Sequence, residues 1–481
     1  MLTPTGLAAT LTASRRCEAA VGPLDLARST QFRSPRLIPM PAESFTIPSL
    51  SVPVLARPEL CVIGGGAAGV AAAVGAARCG LKVLLVEKYG FCGGATVAGS
   101  SGTICGLFSS GNRPQRIVFG FAGEFHDRLA QLCGVGHPIR FGRTMLVPHD
   151  NFVWKEAADS YLRDEGIEVL YHTNFVAAYL EGQRVHTLVV RAAEGLRAIR
   201  PKVLIDASGD AEVVHSIGAS TTMGKDGTVQ TPTMIFRLGG VDIKRFMELD
   251  PVEISAQVAA ADRSGAYRLP RHHVYLFPMP NGREVLCNMT RITFPDGSVP
   301  VGICSADMSF AEMEGRAQAR EYARFLKDKI AGFEHSYLID TGAQVGIRQT
   351  RSLVGKSRLS NEDVLQARKT AGAVTFSAWP MESHSAGGLT ITYLEDDTYD
   401  IPFETLVPLT DTNLLVAGRC LSAEHEAMAS ARVTAQCFGM GYAAGAACAL
   451  MLKEEISSQQ LSGVDVESWM HDRHLKTAEE A

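Results

Sequence analysis

The order of apolar and polar positions predicts where regular structure begins. From residue 59 a short apolar run, Leu60 to Ile63, leads into a cluster of glycines, an Ala-rich segment at 67–79 and a second apolar run at 82–86. Short apolar runs bounded by turn residues are typical of buried strands, and a longer apolar segment between them is typical of a buried helix. The pattern therefore predicts strand, helix and strand, the opening of a parallel α/β sheet.

The same patterns continue through the first half of the chain and return near its end. Further segments have the periodicity of regular structure, namely a helix at 151–165 and strands at 166–171, 175–180, 185–191 and 198–207. The turn residues at 181–183 predict a hairpin or meander between two of these strands. At 413–417 a buried-strand pattern precedes a helix of small residues that reaches about Leu452.

Between these α/β segments the pattern is less regular. Residues 221–400 mix β-like runs with one clear helix at 306–329, which favours a separate substrate or cap region. Five parts follow from these patterns: an irregular, proline-rich N-terminal extension at 1–58, a nucleotide-binding domain at 59–220, the substrate region at 221–400, a second part of the nucleotide-binding domain at 401–455, and a polar C-terminal tail at 456–481.

Charge and hydropathy exclude two classes of partner. The chain of 481 residues has 46 Lys and Arg against 51 Asp and Glu, a net charge of −5, so it has no basic excess for binding nucleic acid. The uncharged segment 434–452 is nearly long enough to cross a bilayer. Because it contains Gln436 and is rich in Ala and Gly, we interpret it as a core helix and predict no membrane span.

The 11 cysteines show neither a C-x-x-C pair nor the spacing of a metal site. Several of them, such as Cys61 and Cys448, lie in apolar runs, where a cysteine behaves as a small hydrophobic residue. We therefore predict free thiols, no metal site and a reducing, cytoplasmic location.

A glycine motif provides the first candidate chemistry. Gly64-x-Gly66-x-x-Gly69 follows the first predicted strand and opens the first helix, which is the setting of a dinucleotide-binding fingerprint. The first glycine permits a tight turn, the second lets the backbone approach a pyrophosphate, and the third lets the helix pack on the strand. Glu87 ends the next strand, where an acidic residue accepts hydrogen bonds from a ribose. This motif alone does not separate NAD from FAD.

Further stretches narrow the class of cofactor. They are the glycine pair after Glu87 in 88–96, a strand end at 206–210, the segment 346–351, and residues 418–427 after the last strand. In this order they resemble the FAD-dependent oxidoreductases of the glutathione-reductase-like superfamily, most closely the branch that includes the flavin subunit of heterodisulfide reductase. The resemblance covers Glu59 to about Leu452. It implies an α/β fold, with a discontinuous Rossmann-like FAD-binding domain and an inserted β-rich α+β substrate region.

The resemblance also assigns roles to individual residues. It implies cofactor contacts, mainly to the pyrophosphate, ribose, adenine and ribityl portions of FAD, from Gly64, Gly66, Ala67, Ala68, Gly69, Glu87, Lys88, Gly93, Gly94, Ala95, Val176, Asp206, Gly209, Gly418, Arg419 and Gln436. The helix beginning near Gln436 would direct its amino terminus at the pyrimidine edge of the flavin, where negative charge develops on reduction.

The chain departs from that branch in its cysteines. It lacks the C-x-x-C-x-x-C spacing of an iron–sulfur ligand run, so we predict no cluster. Cys79 and Cys92 are too far apart in sequence for a redox-active pair of the glutathione reductase kind. Cys92 lies in the glycine loop, where a covalent flavin link or a redox thiol is an alternative to a core-facing side chain. We expect the side chain to face the core and FAD to bind non-covalently.

Catalytic residues are expected on the substrate side of the flavin, because the cofactor performs the redox chemistry and the protein handles protons. The candidates are His384 in a polar glycine-rich loop, His425 and Glu426 after the last strand, and Arg348 with Arg351. If helical, the two arginines would share a face and could bind a carboxylate or the pyrophosphate.

The predicted function is hydride transfer between a small organic substrate and flavin N5. The alternative is a flavin-binding subunit that relays electrons within a larger complex. The sequence specifies neither the substrate nor the electron acceptor, and it leaves the oligomeric state open, a homo-oligomer included.

Overall fold

The structure, a computed structural model, describes residues 49–385, 388–394 and 397–475. Most of the predicted N-terminal extension and the last six residues lie outside this range. The strands in chain order are β1 Val54–Ala56, β2 Leu60–Ile63, β3 Val83–Val86, β4 Thr103–Ile104, β5 Ile139–Phe141, β6 Thr144–Pro148, β7 Glu168–Leu170, β8 Asn174–Glu181, β9 Arg184–Ala192, β10 Gly195–Ile199, β11 Val203–Asp206, β12 Thr221–Met223, β13 Phe236–Gly239, β14 Tyr275–Pro278, β15 Glu284–Asn288, β16 Tyr337–Thr341, β17 Arg351–Leu353, β18 Ala373–Ser377, β19 Met381–Ser385, β20 Gly388–Thr392, β21 Tyr399–Pro402 and β22 Leu414–Val416.

Helices lie between these strands. They are α1 Ala67–Arg78, α2 Gly94–Val97, α3 Gly120–Gln131, α4 Asn151–Asp164, α5 Glu212–Ser216, α6 Ile243–Met247, α7 Pro251–Arg263, α8 Ser305–Lys329, α9 Asn361–Leu365, α10 His425–Ala431, α11 Thr434–Glu454 and α12 Gly463–Asp472. Short 3-10 turns occupy 403–406, 418–420 and 458–460.

A five-stranded parallel sheet forms the centre of the nucleotide-binding domain. Its strand order is β22-β11-β2-β3-β7, and Leu60 pairs with Val83 while Asp206 pairs with Ile63 and Val416. Strands β2, β3, β11 and β22 are buried along their whole length, as expected for a parallel sheet covered on both faces. The predicted strand, helix and strand at 60–86 and the predicted α/β class are therefore confirmed.

One predicted strand is two strands in different sheets. The run 198–207 divides into the end of β10, which joins β9, and β11, which joins the parallel sheet. Pro201 lies at the break, and because proline has no backbone N–H it cannot continue a ladder. Strand β1 pairs in parallel with β10, so the end of the predicted N-terminal extension is part of a sheet.

The small-residue helix predicted after 417 is also divided. Helix α10 ends before Arg432, and α11 begins at Thr434 and packs along α1. A Cβ atom at Gly441 would lie 2.0 Å from the Ala68 carbonyl oxygen, and one at Gly445 would lie 2.1 Å from that of Ala72. The backbones of the two helices therefore approach closely, which explains the small residues. Among the described residues, α11 is the one helix that is long and apolar enough to span a membrane, and 89% of its apolar window is buried within the protein.

The middle of the chain has a core of its own. An antiparallel sheet of order β14-β15-β13-β16 packs with α7 and α8 around buried residues that include Phe236, Tyr322 and Phe325. Strand β18, however, pairs with β21 and packs against α11. The later part of the predicted substrate region at 221–400 therefore packs on the nucleotide-binding domain.

The predicted polar tail at 456–481 contains a packed helix. Helix α12 buries Val466, Trp469 and Met470, which recur at three- and four-residue spacing, and packs against α11. The prediction of a polar tail is therefore wrong for this helix, because its apolar face is buried.

A buried histidine gives a testable pH dependence. His149 is 0% exposed, neither ring nitrogen has a hydrogen-bond partner in the described structure, and burial lowers its pKa to about 4. Below pH 6.5 the unfolded chain binds a proton at this histidine that the folded chain does not bind. The free energy of unfolding therefore decreases as the pH is lowered to about 4. Relative to His149→Phe, we expect the wild type to lose about 2 kcal/mol more unfolding free energy between pH 7 and 4.5. Urea unfolding of both proteins at both pH values measures this difference. An equal loss of unfolding free energy in the wild type and in His149→Phe would contradict the expectation.

Candidate active site

A cavity of about 510 Å³ lies at the carboxyl ends of the parallel strands. One wall is made by the glycine motif, the end of β3 and the loop before α2. The other wall is made by the antiparallel substrate sheet and by the β18–β20 segment, including Arg271, Tyr275, Trp379 and His384. Both walls border the same continuous space, which is therefore lined by residues of both domains.

The three glycines of the motif differ in their surroundings. Gly64 has φ +99°, and a Cβ there would lie 2.5 Å from the Ala207 carbonyl oxygen. Gly69 does not line the cavity, but a Cβ there would lie 1.7 Å from the Gly64 carbonyl oxygen, so this glycine lets α1 pack against the turn. Both positions are fixed by contacts within the protein.

Gly66 differs because its surroundings are open. It has φ −69°, it caps α1 without a side-chain hydrogen bond, and a Cβ there would meet nothing nearer than Gly94 Cα at 3.9 Å. Opposite it, Gly93 and Gly94 have φ values of +137° and +48°. The uncapped N–H groups of α1 and these two glycine backbones form a cradle that fits the pyrophosphate of a dinucleotide.

Glu87 lies at the end of β3, where the sequence predicts a ribose-binding carboxylate. It is 4% exposed and accepts hydrogen bonds from the backbone N–H groups of Gly65, at 2.6 Å, and Tyr89, at 2.9 Å. Burial raises the pKa of Glu87, and these two N–H donors oppose that shift. A carboxylate oriented in this way keeps lone pairs available to accept hydrogen bonds from a diol.

Most of the predicted cofactor residues meet at this cavity. Besides the glycines and Glu87, the lining includes Ala67, Ala68, Lys88, Ala95, Gly209, Gly418 and Arg419. Two of them, Gly209 and Arg419, are in direct contact. A Cβ at Gly209 would lie 2.6 Å from Arg419 Nη2, which forms an ion pair with Asp210 at 3.2 Å. Gly209 therefore makes room for the Arg419 guanidinium.

Besides Gly69, three predicted cofactor residues lie off the cavity. Val176 is 51% exposed, and the lining residues are its neighbours Thr173, Asn174 and Phe175. Asp206 is fully buried and accepts hydrogen bonds from Ser208, Val213 and Val214, so it holds the turn after β11. Gln436 donates to the carbonyl oxygens of Gly106 and Phe376. Its neighbours Val433, Thr434 and Cys437 line the cavity instead.

Arg348 lines the cavity, but not from a helix. It lies in a loop, and its Nη1 donates to the Thr231 carbonyl oxygen at 2.6 Å. Arg351 begins β17, which pairs with β12, and it donates to the Asp210 carbonyl oxygen. The predicted shared helical face is wrong, because pairing with β12 holds this segment extended.

The two predicted histidines are placed very differently. His384 lines the cavity from β19, is 8% exposed, and has its Nε2 3.3 Å from Glu382 Oε2. Burial, together with the nearby Arg348 and Arg271, holds the pKa of His384 well below its ordinary value. The sequence predicts a polar glycine-rich loop here, but His384 lies on β19, and the hairpin of β19 and β20 buries it.

His425 is not among the residues that line the cavity. It begins α10 and its carbonyl oxygen accepts a hydrogen bond from Gln230, while Glu426 accepts one from Asn361 at 2.8 Å. Burial lowers the pKa of His425. Both residues therefore join α10 to neighbouring segments at a distance from the cavity wall.

Cys92 lies behind the glycine loop and is 0% exposed. The Tyr171 hydroxyl is 3.6 Å from its sulfur, and burial raises the pKa of the thiol. Cys92 does not line the cavity. All cysteines within the described ranges are free, and these ranges contain no group of His, Cys, Asp and Glu arranged to hold a metal ion.

Sequence reasoning missed much of the second wall. The residues it did not single out are Arg271, Tyr275, Trp379, Glu382 and Arg432. Only Arg432 carried a usable signal, because it is the one charged residue between Glu426 and Lys453. A lone charge in a small-residue segment is costly to bury without a purpose. Arg271 and Trp379 lie in loops, and Tyr275 and Glu382 lie on two different strands, so no local pattern marks these four residues.

A dinucleotide cradle at the carboxyl ends of a parallel sheet is the arrangement of a Rossmann-type nucleotide-binding protein. The chain belongs to the family of FAD-dependent oxidoreductases, because the family model described as FAD dependent oxidoreductase matches residues 59–470. The predicted FAD-dependent enzyme class is thus confirmed. Among curated proteins no significant match is found.

Solved structures with a similar chain path include the following three proteins. One is a geranylgeranyl bacteriochlorophyll reductase-like protein from Thermoplasma acidophilum, with 13% identity, a TM-score of 0.47, and coverage of 87% of this chain and 84% of that one. Another is the myxobacterial chondrochloren halogenase CndH, with 14% identity, a TM-score of 0.43, and coverage of 87% of this chain and 79% of that one. The third is the flavin-dependent brominase Bmp2, with 12% identity, a TM-score of 0.44, and coverage of 87% of this chain and 84% of that one. Sequence identities and TM-scores this low give no information about the reaction.

Proposed function

We propose that this enzyme transfers a hydride between a small organic substrate and the N5 atom of a non-covalently bound FAD. The observation that carries the proposal is the single cavity whose one wall is the dinucleotide cradle and whose other wall holds buried ionisable side chains. A substrate in this space would lie beside the cofactor and away from bulk water. Bound FAD would supply the two-electron chemistry.

The residues of the first wall would hold the cofactor. In this proposal the N–H groups at the start of α1, with Gly66 and Gly94, bind the pyrophosphate, and Glu87 accepts hydrogen bonds from the adenosine ribose. The adenine would lie near Thr173, Asn174 and Phe175, which line the same cavity. Cys92 faces the core behind this loop, which favours non-covalent binding.

The residues of the second wall would handle protons. A neutral imidazole accepts a proton, and the low pKa of His384 keeps this form present at neutral pH. Glu382, at 3.3 Å, orients the ring and stabilises the positive charge that appears when the ring takes a proton. We assign His384 as the general base when substrate is oxidised, and as the general acid in the reverse direction.

The finer parts of the sequence prediction stay proposals. We retain the relationship to the heterodisulfide reductase branch without an iron–sulfur cluster, and the cytoplasmic location. Space for a substrate beside the cofactor cradle favours an enzyme that acts by itself over an electron-relay subunit.

The visible absorbance spectrum of the purified full-length protein tests the cofactor. We expect a flavin spectrum, and after acid precipitation we expect all the flavin in the supernatant as FAD. Flavin in the pellet would contradict non-covalent binding, and a colourless protein that does not take up added FAD would overturn the proposal. Anaerobic bleaching by small-molecule donors then separates an autonomous enzyme from a relay subunit, which would be reduced only with its partner protein.

A further inference from the structure

The second wall of the cavity carries more positive charge than the protein neutralises. Three arginines, Arg271, Arg348 and Arg432, line it together with the carboxylate of Glu382. None of the three forms an ion pair within the described part of the chain, and Glu382 has His384 beside it. Three guanidinium groups thus share one cavity wall with a single acidic side chain.

The hydrogen-bond partners of these arginines are neutral. Arg271 Nη1 donates to the Asn288 side-chain oxygen at 2.7 Å, Arg432 Nη2 donates to the Gln230 side-chain oxygen at 3.0 Å, and Arg348 donates to a backbone carbonyl. Arg271 is only 4% exposed, and its Nη2 has no partner among the described residues. Arg432 Nε is likewise buried without one.

Burying a charge without a counterion is unfavourable. The three buried guanidinium groups therefore favour the binding of an anion. Burial lowers the pKa of Arg432 to about 10 and lowers that of Arg271. An anion placed among the three groups would satisfy the unused N–H donors and compensate the buried positive charge of the guanidinium groups. The forked donors of arginine match the two oxygens of a carboxylate.

The same wall also has an aromatic part. Phe141 stacks on Trp379 with ring centroids 5.5 Å apart, and Tyr275 lies 5.0 Å from Phe141 and continues toward Phe277. All four residues line the cavity, and none of them offers a positive charge. The aromatic part suits the apolar body of a ligand whose charged end lies at the arginines.

The geometry points to an organic carboxylate as the substrate, with its carboxylate bound by Arg271, Arg348 and Arg432 and its apolar portion against Phe141 and Trp379. This assignment rests on the proposed function, because it places the ligand beside the FAD cradle. The pyrophosphate has its own donors in this cavity, at the uncapped start of α1 and the facing glycines, so the arginines are left for a second anionic group.

Titration of the FAD-loaded protein tests this assignment without turnover. Acetate, benzoate and succinate are each compared with the neutral amide of the same skeleton, with flavin absorbance changes and thermal shift as readouts. We expect at least one acid to bind about tenfold or more tightly than its amide, which corresponds to about 1.4 kcal/mol. Arg271→Met should remove that preference while leaving FAD content unchanged, and Arg432→Met provides a second variant should the first fail to fold.

Arg237→Met is the matched control, because Arg237 lies on the same substrate sheet but pairs with Glu284 and Asp340 outside the cavity. We expect it to leave the acid-to-amide preference unchanged. The assignment is overturned if no acid exceeds its amide, if inorganic phosphate binds more tightly than every acid, or if Arg271→Met and Arg432→Met lose FAD. Failure to bind FAD by the wild-type protein would instead overturn the proposed function.

Discussion

Replacement of Gly66 by valine is expected to abolish tight FAD binding while leaving the fold intact. The backbone at Gly66 has φ −69° and ψ −176°, which valine adopts readily, and no protein atom lies within 3.9 Å of the Cβ position. The space that the side chain would fill is the space that we assign to the pyrophosphate. We expect FAD affinity to fall about 100-fold, because overpacking of one ligand contact costs about 1–3 kcal/mol.

Two further substitutions separate loss of ligand from loss of fold. Gly136→Ala is the matched control, since a Cβ there meets only Pro148 at ordinary contact distance and lies away from the cavity. Gly64→Ala should instead destabilise the protein itself, because of the 2.5 Å approach to Ala207 and the positive φ. Equilibrium dialysis gives the FAD affinity and thermal unfolding of the apoprotein gives the stability. Unchanged FAD affinity in Gly66→Val would contradict the assignment of the pyrophosphate to this cradle.

The second large effect is expected at His384. Because His384 is the buried imidazole on the cavity wall, His384→Gln should slow flavin reduction by the substrate about 100-fold or more, the usual contribution of general acid–base catalysis. FAD content should stay the same. Stopped-flow measurement of flavin bleaching gives the rate, and a rate in His384→Gln within threefold of wild type would contradict the assignment.

The pH profile distinguishes a base from a merely structural residue. Because the pKa of His384 is lowered, its neutral form is already present at pH 6.5, and the rate of substrate oxidation should fall only in more acidic solution. An inflection at the ordinary histidine value would contradict this expectation. His425→Gln is the competing variant, and its position off the cavity predicts less than a tenfold effect.

The cofactor wall could be predicted from local sequence because it is a local structure. A strand, a tight glycine turn and a helix amino terminus are continuous in the chain, and Glu87 follows at the end of the adjacent strand. The pattern of small and apolar residues is required by hydrogen bonding and packing within this unit. Where single side chains were assigned further along, as for Val176 and Gln436, the element was placed correctly but the side chain points elsewhere.

The α/β class, the dinucleotide motif and the FAD-dependent family could be inferred from the sequence, because each depends on residues that are near one another in the chain. The charged side chains of the second wall could not be grouped in this way, because they meet only in the folded chain. Arg271, Arg348 and Arg432 lie in segments distant from one another and from the pair Glu382 and His384 on β19. These segments come together around the cavity, where burial and the neighbouring charges shift the pKa values of their side chains.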